Sequence, residues 1–160
     1  MRTETITREL YQFEELEDDA KESARNWYRE GMFDFEWWQD IYYDATQIGL
    51  EITSFDDYKA EGKLIKTGAV VCSDIMKNHG KGFITYKLAK MYLPLFEKWA
   101  EDENEGEYQT EQTEDEFLSS LLEDYRITLN KEYEHMCSDE YIDENIIMND
   151  HEFTKDGKHA

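Results

Sequence analysis

TEDEFLSSLLEDYRITLNKEYEHMC, residues 113–137, is the stretch on which the fold turns. Leu118, Leu121, Tyr125, Leu129, Tyr133 and Met136 recur in it at three- and four-residue spacing. That pattern predicts one continuous apolar stripe along a helix reaching about Cys137. Thr113 and Glu116 have the spacing of a capping box and predict its start. Upstream, DENEGEYQTEQ (102–112) has almost no apolar content and predicts an exposed acidic linker. Downstream, Ser138 predicts the cap of a last helix through Met148. HEFTKDG (151–157) then reads as a short strand with an Asp156-Gly157 turn, and TETITRELY (3–11) is its candidate pairing partner.

The first half is also helical. Phe13, Leu16, Ala20, Ala24 and Trp27 share a stripe, and a helix is predicted from about Asp18 to Glu30, ended by Gly31. Asp34 is the expected N-cap of a second helix with Trp38, Ile41, Ala45 and Ile48 on one face and Gly49 at its end; the two are expected to form a hairpin. EITSFDDYKAEGKLIK (51–66) alternates instead, predicting short strands around Ile52–Phe55 and Lys63–Ile65. Thr67 caps a short helix through Met76, Gly80 and Gly82 break the chain, and a further helix starts near Thr85. Pro94 removes a backbone donor from that helix and predicts a kink or a fresh start at Leu93. The expectation is a mainly α fold, a single-domain helical bundle over residues 1–160 with at most a small β-sheet.

Composition narrows the function. Among 160 residues, 39 Asp and Glu face 17 Lys and Arg, a net charge of -22 that disfavours any direct contact with a phosphate backbone. Disorder is countered by four Trp, eleven Tyr, eight Phe and a single Pro, enough for a real core. The charge is uneven: residues 61–100 hold three acids and seven bases, whereas 101–126 hold eleven acids and one base. No apolar stretch reaches signal-peptide or membrane-spanning length, so a cytoplasmic protein without membrane contact is expected. Cys72 and Cys137 form no CxxC pair and are expected to be reduced, partly buried and slow to react. The basic middle could neutralise acidic faces within the chain or in a second copy, which suggests a monomer or weak homodimer.

Several chemistries lack their residues. The histidines at 79, 135, 151 and 159 make no zinc-binding spacing. Asp102, Asn104 and Gly106 begin like a calcium loop, but the glycine falls one position early and Thr113 stands where a bidentate Glu is required. Gly80-Lys81-Gly82 lacks the further glycines and the hydroxyl of a phosphate loop. Carboxylate pairs are too abundant to mark an acid and a base. No catalytic residue can be named, and no metal or nucleotide cofactor is expected. Trp27, Trp37, Trp38, Tyr42 and Tyr43 could form a stacking platform, but core packing is the favoured role for such residues; one ring of the Trp37-Trp38 pair is left as a candidate partner contact.

What remains is the acidic surface. Glu14, Glu15, Glu17, Asp18, Asp19 and Glu22 form one group, and Glu111, Glu114, Asp115, Glu116, Glu123 and Asp124 form another. Carboxylates three or four residues apart on a helix are neighbours, so such rows can present spaced negative charge as a strand of phosphates does. The plain alternative is a solvated face that confers solubility.

The run YQFEELEDDAKESARNWYREGMFDFEWWQDIYYDATQIG (11–49) resembles a family of small acidic proteins encoded by bacteriophages and mobile elements. The likeness lies in Tyr11-x-Phe13-x-Glu15-Leu16, Ala20-Lys21-x-x-Ala24-Arg25-x-Trp27-Tyr28-Arg29-Glu30, Glu36-Trp37-Trp38 and Tyr42-x-Asp44-Ala45. Residues 116–136 and HEFTKDGK also resemble that family's C-terminal part, so about half the chain is covered. Many members carry Gly-Phe-Trp-Ser-Gln-Gly-Asp-Gly after the second helix, where this chain has residues 51–66 instead, and nothing is carried over there. The resemblance implies a phage accessory protein, similar in kind to anti-CRISPR and anti-restriction proteins that imitate DNA. On that expectation a basic nucleic-acid-binding protein or nuclease complex of bacterial defence is the partner. The alternatives are an antitoxin covering a basic toxin, or a small-molecule binder or enzyme at the Trp37-Trp38 pocket.

Overall fold

The computed structural model describes residues 1–31 and 35–160. Six α-helices, one 3-10 turn and two antiparallel strand pairs are formed among them, a mainly α fold with a small β component. The contacts gather into two compact units: unit 1 comprises Met1–Trp37 and Glu132–Ala160, and unit 2 comprises Trp38–Lys131.

Unit 1 joins segments far apart in sequence. β1 (Tyr11–Gln12) pairs antiparallel with β4 (Glu152–Phe153), Tyr11 opposite Phe153, which is the pairing the terminal segments predict. A 3-10 turn at Phe13–Glu15 leads into α1 (Asp18–Gly31). The predicted stripe is buried: Phe13, Leu16, Ala20 and Ala24 pack with Ile142 and Ile146 of α6 (Asp139–Met148) and with Phe153. Ser138 caps α6, its hydroxyl accepting from the Tyr141 N–H. Trp27 closes the cluster edge-on to Phe153 and lies flat on the His159 ring, centroids 4.0 Å apart. The turn before His159 sits tight on α1. At Gly157, φ is +85° and a Cβ would fall 2.1 Å from the Ala20 carbonyl oxygen, so no other residue fits without displacing the turn.

Unit 2 is continuous. α2 (Gln39–Gln47) is followed by Gly49 at φ +85°, the left-handed residue that ends it, and by the hairpin of β2 (Leu50–Phe55) with β3 (Ala60–Leu64). The predicted cap of α2, Asp34, lies outside the described residues. α1 packs on α6 in unit 1, and α2 packs on β2 in unit 2. α3 (Gly68–Asn78) starts at Thr67, whose side chain accepts from the Val70 N–H as expected. α4 (Ile84–Ala100) continues through Pro94, so no fresh start occurs there. Pro94 and Lys90 are both exposed, and water can satisfy the carbonyl that the proline leaves without a donor. Core side chains Ala45, Leu50, Val71, Ile75, Ala89, Phe96, Phe117 and Leu121 come from every helix of the unit and from β2. Tyr92, Phe96 and Phe117 form its aromatic centre, with centroids 5.0 to 6.5 Å apart.

The long helix, α5 (Gly106–Cys137), corrects the sequence most. It begins seven residues before Thr113, so residues 106–112 are helical and not linker. Residues 102–105 are a tight turn: Asp102 accepts from the N–H groups of Asn104 and Glu105 at 2.9 Å each, which holds its carboxyl below the usual carboxylate range. Thr113 does not cap. It is buried inside the helix, where its hydroxyl donates to the Gln109 carbonyl at 2.7 Å.

Candidate functional site

In unit 1 the first acidic group is fully displayed. Glu14, Glu15, Glu17, Asp18, Asp19 and Glu22 are all exposed, because the stripe of Phe13, Leu16, Ala20 and Ala24 takes the opposite face inward. Among the described residues, Glu14, Glu17, Asp18 and Asp19 make no ion pair, and Glu15 only accepts from the Gln12 N–H. Glu17 and Asp19 line a groove of about 570 Å³ with Ser23, Thr154, Lys155 and Asp156, floored by Ala20. Asp18 and Asp19 also occupy the first turn of α1, where the helix dipole favours negative charge. Glu22 differs, since it is shared by Arg25 and Arg29 at 3.3 Å each. The same arginines reach α6: Arg25 grips Asp143 with two bonds of 2.6 and 2.8 Å, and Arg29 donates to Asp139. The Asp143 bond raises the Arg25 pKa above its ordinary value.

The second acidic group, in unit 2, is divided: three of its six carboxylates are tied up by local contacts or burial. Glu114 is half-buried and accepts from the Gly68 N–H at 2.6 Å, satisfying a free donor at the start of α3. Glu123 binds Arg126 with two bonds of 2.6 and 2.9 Å, and that guanidinium holds its carboxyl below the usual range. Asp124 is half-buried, and desolvation pushes its pKa up despite His79 and Lys131. Of this group only Glu111, Asp115 and Glu116 project as simple exposed charges.

Trp37 and Trp38 are half-buried: Trp37 meets Tyr133 in unit 1 at 6.0 Å, and Trp38 meets Phe55 in unit 2 at 6.4 Å. Tyr42 also packs on Phe55, while Tyr43 is exposed. Cys72 is buried and burial pushes its thiol up to about 12, which leaves almost no thiolate at neutral pH. Cys137 is only half-buried. Among the described residues no helix is long and apolar enough to cross a membrane.

One feature of unit 2 has no signature in the sequence: a cavity of about 350 Å³ lined by residues of α2, α5 and the α3–α4 junction. Asp44 accepts from the Tyr125 hydroxyl at 2.8 Å, and His79 Nδ1 lies 2.6 Å from Thr85 Oγ1. Burial and Asp44 together raise the Tyr125 pKa well above its ordinary value. Asp44, His79 and Tyr125 are too far apart in sequence for any motif; the Asp40-Asp44 spacing on one helix face was the only local hint. No protein-family model, curated protein or solved structure matches the chain.

Proposed function

We propose that the protein is a non-enzymatic counter-defence inhibitor of the anti-CRISPR or anti-restriction kind. Its acidic face imitates DNA and occupies the Lys/Arg-lined nucleic-acid channel of a bacterial defence complex in the host cytoplasm. The observation that carries the reading is the exposed series Glu14, Glu15, Glu17, Asp18 and Asp19, which has no cationic partner among the described residues. The backbone that bears these carboxylates is anchored by a buried stripe and by the turn seated on α1, so only side-chain ordering is lost when a basic surface docks. Attraction of this kind speeds association and weakens steeply with salt, because the screening length is about 8 Å at physiological ionic strength.

The test is a pulldown from bacterial lysate followed by competition with DNA for the recovered partner. The combined variant Glu14→Lys, Glu15→Lys, Asp18→Lys, Asp19→Lys should lose partner binding, since exposed pairs contribute only about 0.2 to 1 kcal/mol singly but add across a cluster. Glu22 is left intact because it holds Arg25 and Arg29. Recovery of one small basic toxin would assign the antitoxin role instead. A folded variant that binds and competes undiminished would end the mimicry proposal.

A further inference from the structure

The cavity in unit 2 is built as a ligand site. Its wall carries three carboxylates: Asp40 and Asp44, one helical turn apart on α2, and Asp124 from α5. Asp124 is half-buried, and its carboxylate has no hydrogen-bond donor among the described residues, His79 and Lys131 being the nearby groups that favour its charge. A carboxylate held in this way lacks the compensation that buried charge requires. His79 supplies a second and independent sign. Its side chain is only 10% exposed, and its Nε2 is shut off from solvent without a hydrogen-bond partner. Asp44 Oδ2 is 3.2 Å away, close enough for charge attraction, but the ring N–H is not aligned with it. A carboxylate at that distance requires the hydrogen to be on Nε2, so the Thr85 hydroxyl donates to Nδ1 and fixes the tautomer. A buried donor left unused is costly and calls for an acceptor.

We propose that this cavity binds a small organic ammonium ion bearing an oxygen beside its amine. The ammonium sits between Asp44 and Asp124, with Asp40 adding charge at the rim. The ligand oxygen accepts from His79 Nε2, which is uncovered when the Asp44 side chain, 52% exposed, rotates and exchanges its bond from the Tyr125 hydroxyl for the ammonium. The hydrocarbon part lies on Ile41 and Phe83, which also line the cavity. A metal ion is a poorer occupant, since among the described residues no group of three His, Cys, Asp or Glu side chains could hold one. The volume falls at the small end of ligand pockets, which start at about 300 Å³.

Titration with 2-aminocyclohexanol at fixed ionic strength, followed by the His79 ring resonances and by calorimetry, tests the site. Saturable one-site binding is expected. Cyclohexanol, without the charge, and Asp124→Asn should each bind about tenfold more weakly or worse. Cyclohexylamine, without the oxygen, should lose about threefold. If Asp124→Asn does not fold, Asp40→Asn at the exposed rim is expected to weaken binding in the same direction. The combined unit 1 variant Glu14→Gln, Glu15→Gln, Glu17→Gln should bind the probe unchanged, which separates this site from general attraction to a chain of net charge -22. Non-saturating shifts, or an equal loss in the unit 1 variant, would overturn the proposal.

Discussion

The two units are similarly rich in acid and use it differently. Unit 1 has 20 acidic and 7 basic residues, and unit 2 has 19 and 10. In unit 1 three acids, Glu22, Asp139 and Asp143, hold two arginines, while the series from Glu14 to Asp19 faces outward without cationic partners among the described residues. Unit 2 spends its acid on structure. Glu114 satisfies the start of α3, Asp74 bridges to Lys66 at 2.7 Å, Glu123 grips Arg126, and Asp56 and Asp102 close turns. Formal charge therefore measures available charge poorly. What decides availability is whether the opposite side of the element is anchored by apolar packing alone, as at the start of α1, or by the carboxylates themselves.

Three substitutions or conditions sharpen this contrast. The largest effect is expected from Asp143→Ala, which leaves the guanidinium of Arg25, a side chain only 19% exposed, with Glu22 alone; chemical denaturation should show a loss of about 2 kcal/mol. Wild-type stability in that variant would mean that the arginines are not what ties α1 to α6. Next comes Glu114→Ala, which removes the acceptor for the Gly68 N–H and should cost about 1 kcal/mol, read in the same assay. No change would return Glu114 to the set of available charges.

The smallest effect is a pH dependence in unit 1. Burial and the nearby His159 lower the His151 pKa from its usual 6.5, so the folded state resists protonation there. That contribution is complete above 6.5 and is lost as the pH falls through this value toward the lower folded pKa. Melting curves between about pH 8 and about pH 5.5 should drift downward, and His151→Gln should flatten the drift. An unchanged slope in that variant would place the pH sensitivity elsewhere.

How much of this was legible differs by feature and for physical reasons. Thr67, Ser138 and Gly49 marked helix ends, because capping and left-handed turns are local chemistry. The start of α5 was not legible. Residues 106–112 are polar yet helix-compatible, and the Thr113–Glu116 spacing occurs as readily inside a helix as at its cap. The division into two units was hidden because it depends on pairings such as Arg25 with Asp143, 118 positions apart. Exposure of Glu14 to Asp19 followed from the adjacent apolar stripe, whereas the half-burial of Glu114 and Asp124 depends on which elements pack against α5. The His79 cavity is likewise assembled from three separate regions and has no linear signature.

The arrangement of the chain also orders events during synthesis. Unit 2 is contiguous, so all of its core is available once Lys131 has left the ribosome. Unit 1 cannot close until Ile142, Ile146 and Phe153 arrive to meet Phe13, Leu16 and Ala20. The segment that bears the displayed carboxylates is thus made before unit 2 and gains its shape after it. Until Phe153 has been made, the stripe of Phe13, Leu16 and Ala20 lacks its partners, and the fixed pattern of charge comes into being only then.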